Sequence, residues 1–143
     1  IAAERAIRDS KIKYMVLRIS GAYSAEPFEF PSPVQFKPEQ RVEFIDMDDA
    51  ATALAAAVKG EIDRKTLNIA GGESWRMTGE HFVCGVFEAF GVRGEVNYPQ
   101  DYGYFDWYDT EESQELLQYQ RTPFSLFKKK LPKIFGIQES PTA

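Results

Sequence analysis

Few side chains in this 143-residue chain suit bond-making chemistry, and most of those stand alone. There is one histidine, His81, and one cysteine, Cys84. Nucleophilic catalysis of the Ser–His–Asp kind would have to run through His81. That residue lies near the start of an amphipathic run, where a solvent-facing helix position is the simpler role. Cys84 stands among Phe82, Val83, Val86 and Phe87 and reads as a small buried core residue rather than a nucleophile. Asp46, Asp48 and Asp49 form an acidic cluster without the spacing of a calcium loop, so helix capping is its expected role. With a single histidine, no C-x-x-C and no H-E-x-x-H, no metal site is expected. No G-x-G-x-x-G follows a strand and no Walker loop appears; Gly71-Gly72 reads as a turn. The aromatic run Tyr98, Tyr102, Tyr104, Phe105, Trp107, Tyr108 either lines a ligand or partner surface or packs beneath a long loop. Lys128-Lys129-Lys130 reads as a solvated helix end favoured by the helix dipole.

These side chains depend on elements that the periodicity outlines. Residues 2–9 (AAERAIRD) predict a helix in which Ile7 faces a core. Residues 14–19 (YMVLRI) are a nearly continuous apolar run, the pattern of a strand buried on both faces in a parallel sheet. Residues 20–24 follow as a loop at its C-terminal end. Pro27, Pro31, Pro33 and Pro38, interleaved with Phe28, Phe30 and Phe36, exclude regular helix from 25 to 40. Phe44-Ile45 begins a short extended piece. Asp48 or Asp49 then caps an alanine-rich helix to about Val58, ended by Gly60. Residues 66–70 (TLNIA) predict a second strand. Thr78 caps a helix from Gly79 to Phe90, with Phe82, Val86, Phe87 and Phe90 on one face and Gly91 closing it. Residues 95–98 read as a strand. Asp109 or Thr110 opens a helix through Gln118, and Pro123 opens a last one with Phe124, Phe127 and Leu131 on a single stripe. Strand and helix alternate, so the class is α/β.

Bulk properties narrow the partners. The length suits one domain with its own core. Seventeen basic residues stand against twenty-two acidic ones, a formal charge of -5, which argues against broad binding of nucleic acid or anionic membrane. The lone cysteine and the lack of an N-x-S/T acceptor fit a reducing, cytoplasmic compartment. No apolar run approaches membrane-spanning length, and no signal peptide is evident.

Four stretches, in order, resemble one family. AAERAIRDSKIKYMVLRISGAYS is similar to the helix that follows a catalytic Tyr-x-x-x-Lys, the next strand, and its R-P-x-x-x-Y-G end. FIDMDDAATALAAAV resembles an F-I-H-V-D-D-V-A element. LNIAGGESWRMTGEHF resembles a Y-N-I-G-G-G strand and the helix after it. DTEESQELLQYQRTPFSLFKKKL resembles a D-x-x-K-A-x-x-x-L-G-Y-x-P closing segment. The family is that of the NAD(P)-dependent epimerases and dehydratases, the extended short-chain dehydrogenases/reductases. The match covers nearly the whole chain and is weakest from 25 to 40.

The resemblance implies the C-terminal part of a Rossmann-like doubly wound fold: the last sheet strands plus a small substrate-binding lobe. It implies that residues 1–143 are the substrate-side portion, and that the N-terminal nucleotide-binding half, with the catalytic Tyr and Lys, lies outside the chain. No catalytic residue is then expected here. Ile19, Ser20 and Gly21 fall where the family backbone passes the nicotinamide of NAD or NADP. Tyr23 and Arg41 fall at substrate-binding positions. Ile19 stands for the usual Pro, Gly21 for a frequent Asn, Ser24 for Gly and Asp46 for His. Arg41 is one residue further from Phe44 than the family's diphosphate-binding Arg, and Asp49 matches its helix-capping Asp. A planar, permanent guanidinium suits the diphosphate of a nucleotide-sugar. The helix at the chain's start also implies a homodimer. The rival reading is a non-catalytic binding or regulatory module on the same fold; a third is a freestanding α/β domain. The chain by itself is expected to give no saturable NAD or NADP titration by calorimetry, and micromolar binding would contradict the assignment of the cofactor-holding loop to residues outside it.

Overall fold

The computed structural model describes residues 1–134. Its elements, in chain order, are α1 (Ala2–Asp9), β1 (Met15–Ile19), β2 (Ala22–Tyr23), β3 (Arg41–Glu43), β4 (Ile45–Asp46), α2 (Met47–Lys59), β5 (Lys65–Ile69), β6 (Arg76–Thr78), α3 (Gly79–Phe90), α4 (Glu111–Leu117) and α5 (Phe124–Lys130). The class is α/β, as the alternation predicts. β1 and β5 pair in parallel, Met15 opposite Lys65 through Ile19 opposite Ile69. β2 pairs in parallel with β4, and β3 pairs antiparallel with β6, Arg41 opposite Thr78 and Glu43 opposite Arg76.

Residues 44 and 45 divide the interior. Successive side chains of an extended segment point to opposite faces, so Phe44 and Ile45, both fully buried, enter different cores. Phe44 joins the aromatic core of Phe36, Trp75, Phe82, Phe90, Phe124 and Phe127. Ile45 joins a smaller aliphatic one with Ala50, Ala53, Leu67, Ile69 and Tyr119. The proline-rich stretch has no helix or strand, yet its Val34 and Phe36 are buried, and Phe28 and Phe30 pack against the aromatic core.

The local signals for α3 are met. Thr78 accepts the His81 amide at 3.3 Å, and Gly91 ends the helix in the left-handed region at φ 72°. α5 buries Phe124, Phe127 and the following Leu131. Several expectations differ. The cap of α2 is Asp46, not Asp48 or Asp49: its carboxylate accepts the Asp48 amide at 2.8 Å. Asp49 instead reaches the end of the chain, accepting the Arg121 and Thr122 amides at 3.0 and 2.8 Å and the Thr122 hydroxyl at 2.9 Å. Cys84 is exposed, because Phe82, Val83, Val86, Ala89 and Phe90 turn toward the core and position 84 falls on the other side of α3. α1 buries nothing, and Ile7 is 41% exposed; Glu4 holds the helix to the sheet through Arg18 at 2.6 Å. Residues 95–98 form no strand, since their segment makes a single backbone bond, from the Val34 amide to the Asn97 carbonyl.

β1 is half-buried rather than buried. Among the described residues it pairs only with β5, so its other edge is open. The β5 exit is made by glycine: the Gly71 amide donates to the Phe44 carbonyl at 2.9 Å, and a Cβ there would lie 2.4 Å from that oxygen. Asp49→Ala would orphan two amides and a hydroxyl in a buried setting. We expect it to lower unfolding stability by about 3 kcal/mol in urea titration, with the exposed Asp48→Ala as a near-neutral reference.

Candidate functional site

The structure sorts the sequence-predicted residues into two places joined by one segment. Ile19, Ser20, Gly21 and Tyr23 sit at and just beyond the C-terminal end of β1. The Ser20 amide donates to the Ile69 carbonyl at 2.9 Å and the Ile45 amide donates to the Gly21 carbonyl at 3.1 Å, so the chain here is stitched to β5 and β4. The Ser20 hydroxyl is buried and has no hydrogen-bond partner among the described residues. A Cβ at Gly21 would lie 2.8 Å from the Phe44 ring, which explains the glycine physically: Phe44 occupies the room a larger residue would need. The Tyr23 ring lies between Phe28, Phe82 and Phe44, at 5.0, 5.1 and 5.2 Å between centroids. Burial pushes its phenol up to about 12, so it stays protonated at neutral pH.

Arg41 stands elsewhere, at the exposed start of β3. Its guanidinium meets Asp106 at 2.7 Å and lies over the Trp107 ring at 4.9 Å. The same segment reaches Gly21, since the Phe105 ring packs 5.1 Å from that of Phe44. Gln40 fixes the segment. Its buried amide donates to the Gly103 and Phe105 carbonyls at 2.9 and 2.8 Å and accepts the Gly103 and Lys37 amides at 3.0 Å each. The aromatic run therefore divides. Tyr98 and Phe105 pack on the core, while Tyr102 and Tyr104 face solvent and Trp107 carries Arg41.

Arg41 opens on a cleft of about 880 Å³, which none of Ile19, Ser20, Gly21 or Tyr23 lines. One wall, from β3, β6 and the segment before α4, supplies Arg41, Arg76, Trp107 and Tyr108. α4 supplies Glu111, Gln114 and Glu115, which share a helix face at positions i, i+3 and i+4. Behind the first wall lies Glu43, with no exposure at all. It accepts the Gly72 amide at 3.0 Å, the Tyr108 amide at 2.9 Å and the Arg76 Nε at 3.2 Å. Arg76 also donates from Nη2 to the Tyr108 carbonyl at 2.8 Å. Sequence reading missed both Arg76 and Glu43. The one available signal was a lone arginine beside Trp75 at the start of the R-M-T strand. The cleft thus offers two guanidinium groups, Arg41 and Arg76, among four carboxylates, Glu73, Asp109, Glu111 and Glu115, groups that can meet the anionic part and the hydroxyls of one ligand. Among the described residues no cluster of three or more His, Cys, Asp or Glu is arranged to hold a metal ion, and no helix is long and apolar enough to cross a membrane.

No protein-family model matches the chain, and no curated protein matches it. Solved structures do. UDP-glucose 4-epimerase from Thermotoga maritima, solved with UDP-glucose, superposes with a TM-score of 0.65 over 90% of this chain and 49% of its own, at 18% identity. The chain has the fold of the C-terminal part of a UDP-sugar 4-epimerase. UDP-glucuronic acid 4-epimerase from Bacillus cereus, solved with NAD, gives 0.65 over 90% of this chain and 46% of its own at 19% identity. UDP-N-acetylglucosamine 4-epimerase from Bacillus cereus gives 0.63 over 91% and 47% at 18% identity. The chain spans about half the length of these epimerases. The fold implied by the four motifs, the C-terminal part of a Rossmann-like α/β architecture, is therefore the observed one.

Within this epimerase fold, Tyr23 makes a pH prediction. Its folded value, about 12, exceeds the ordinary 10.0, so the unfolded chain loses the phenolic proton first. Its contribution to stability is then full below pH 10 and lost as pH rises toward 12, about 2 to 3 kcal/mol in all. Urea midpoints measured between pH 9 and 12 should fall more steeply for the natural chain than for Tyr23→Phe; equal slopes would contradict a buried phenol.

Proposed function

We propose that residues 1–143 form the substrate-binding portion of an NAD(P)-dependent epimerase, dehydratase or reductase that acts on a nucleotide-linked sugar in the cytoplasm. The single observation that carries this reading is the cleft: Arg41 and Arg76 on its β3–β6 wall, on a fold shared with three UDP-sugar 4-epimerases. Paired guanidinium groups suit a diphosphate, and the carboxylates of α4 suit hydroxyls. Arg41 rests over the Trp107 ring, 4.9 Å from its centroid, at the mouth of the cleft.

The other place belongs, on this reading, to the cofactor. The half-length coverage and the open edge of β1 support a nucleotide-binding half outside residues 1–143. NAD or NADP would be held mainly there, and its nicotinamide, when bound, would exchange hydride with the sugar. The strand end fits that neighbour: the Ser20 hydroxyl is buried without a hydrogen-bond partner among the described residues, and Gly21 adds no side chain. The chain's own residues then position rather than react, with Ile19, Ser20 and Gly21 toward the cofactor and Tyr23 and Arg41 on the substrate side. A homodimer through α1 belongs to the same proposal, and α1 buries none of its residues within the chain.

Arg41→Ala in the full-length protein is expected to raise KM for a UDP-sugar by about tenfold, the effect of one charge-assisted contact, and to leave the dissociation constant of NAD unchanged. Equal KM values for the two forms would remove Arg41 from the site.

A further inference from the structure

We propose that Arg76, fixed by the buried carboxylate of Glu43, is the principal anion-binding group of the cleft, and that Glu43 is its positioning residue. The inference rests on the nucleotide-sugar reading and refines which group meets the diphosphate. Every hydrogen-bond partner of Glu43 lines the cleft, namely Gly72, Arg76 and Tyr108, while Glu43 itself does not. Its Oε1 is met by the Gly72 amide and its Oε2 by the Tyr108 amide, so each oxygen already has a backbone donor. What Arg76 adds is direction. Its Nε is held by Glu43 and its Nη2 by the Tyr108 carbonyl, on a side chain one-third exposed. Nη1 makes no hydrogen bond to the described residues, and a guanidinium held at two of its nitrogens presents the third in a set orientation.

Arg41 is the contrasting case. Its side chain is 56% exposed and its carboxylate partner, Asp106, is 54% exposed. Ion pairs of that kind are weakly held, so Arg41 can add charge but does not define where the anion sits. The carboxylates Glu73, Asp109, Glu111 and Glu115 repel an anion from the rest of the lining. The one fixed cationic direction is therefore that of Arg76. Glu43 cancels part of its charge, and the gain is preorganisation, which lowers the ordering cost of binding.

The test is UDP titration of the full-length protein by calorimetry at several salt concentrations, for the natural protein, Glu43→Gln, Arg76→Gln and the double variant. Each single change is expected to weaken UDP about tenfold, and Arg76→Gln also to flatten the dependence of affinity on ionic strength. The double variant should bind no more weakly than Arg76→Gln, since the two residues act as one unit. Glu43→Gln with natural UDP affinity, or losses that add, would overturn the proposal. Should Glu43→Gln fail to fold, Arg76→Gln alone decides: an unchanged salt dependence overturns the role of Arg76. A natural protein that binds no UDP overturns the nucleotide reading and this inference with it, whereas natural binding with unaffected variants overturns this inference only.

Discussion

Three carboxylates are buried within seven residues, and their need for donors organises the molecule. Glu43, Asp46 and Asp49 are at most 3% exposed. A charge taken out of water is costly unless it is paired and hydrogen-bonded. Each of the three draws its donors from a different distant stretch. Glu43 takes Gly72, Arg76 and Tyr108. Asp46 takes Lys130 at 2.8 Å as well as capping α2. Asp49 takes the backbone of Arg121 and Thr122, 72 and 73 residues away. The closing segment of the chain is thereby fastened at two points to the start of α2, and the wall of the cleft at a third to β3. The Asp46–Lys130 pair holds the lysine's charge firmly, its ammonium raised above the ordinary lysine value chiefly by the hydrogen bond to Asp46.

Hydrophobic packing fills the frame so defined. Phe44 lies beside Glu43 in the chain, and it faces Tyr23, Phe36, Phe82 and Phe105. The two residues share one short extended segment, so a single stretch of backbone sets both the aromatic core and the polar clamp. Close packing makes such an arrangement unforgiving of volume changes. Gly21 and Gly71 lie where that packing leaves no space, the first against the Phe44 ring and the second against the Phe44 carbonyl and Trp75. Gly103 does the same where the 103–108 segment crosses the proline-rich stretch, close against the Gln35 carbonyl.

The cleft inherits its order from these constraints. Gln40 fixes where Asp106 and Trp107 begin, and hence where Arg41 rests. Glu43 fixes Arg76 and the Tyr108 backbone. Neither Gln40 nor Glu43 lines the cleft, yet Gln40 places the segment that Arg41 rests on and Glu43 sets the direction of the Arg76 guanidinium. The strand-end group of Ile19 to Tyr23 is set by a different means, the ladder with β4 and β5, and lines no part of the cleft.

Much of the fold was legible in the sequence because its signals are local. The Thr78 cap, the Gly91 terminator, the Phe124–Phe127–Leu131 stripe and the exclusion of helix from 25 to 40 each depend on residues within about one turn of one another. So does the α/β alternation, and the four motifs place it in the right architecture. The exposure of Cys84 was also available locally, from the phase of α3. What only the tertiary structure decided is where the acidic residues of 43–49 point, which of them caps α2, and that Arg76 rather than Arg41 is the held guanidinium. Periodicity and capping act over three or four residues, whereas the partner of a buried carboxylate is chosen by whatever donor the folded chain brings to it, here 29 to 84 residues away.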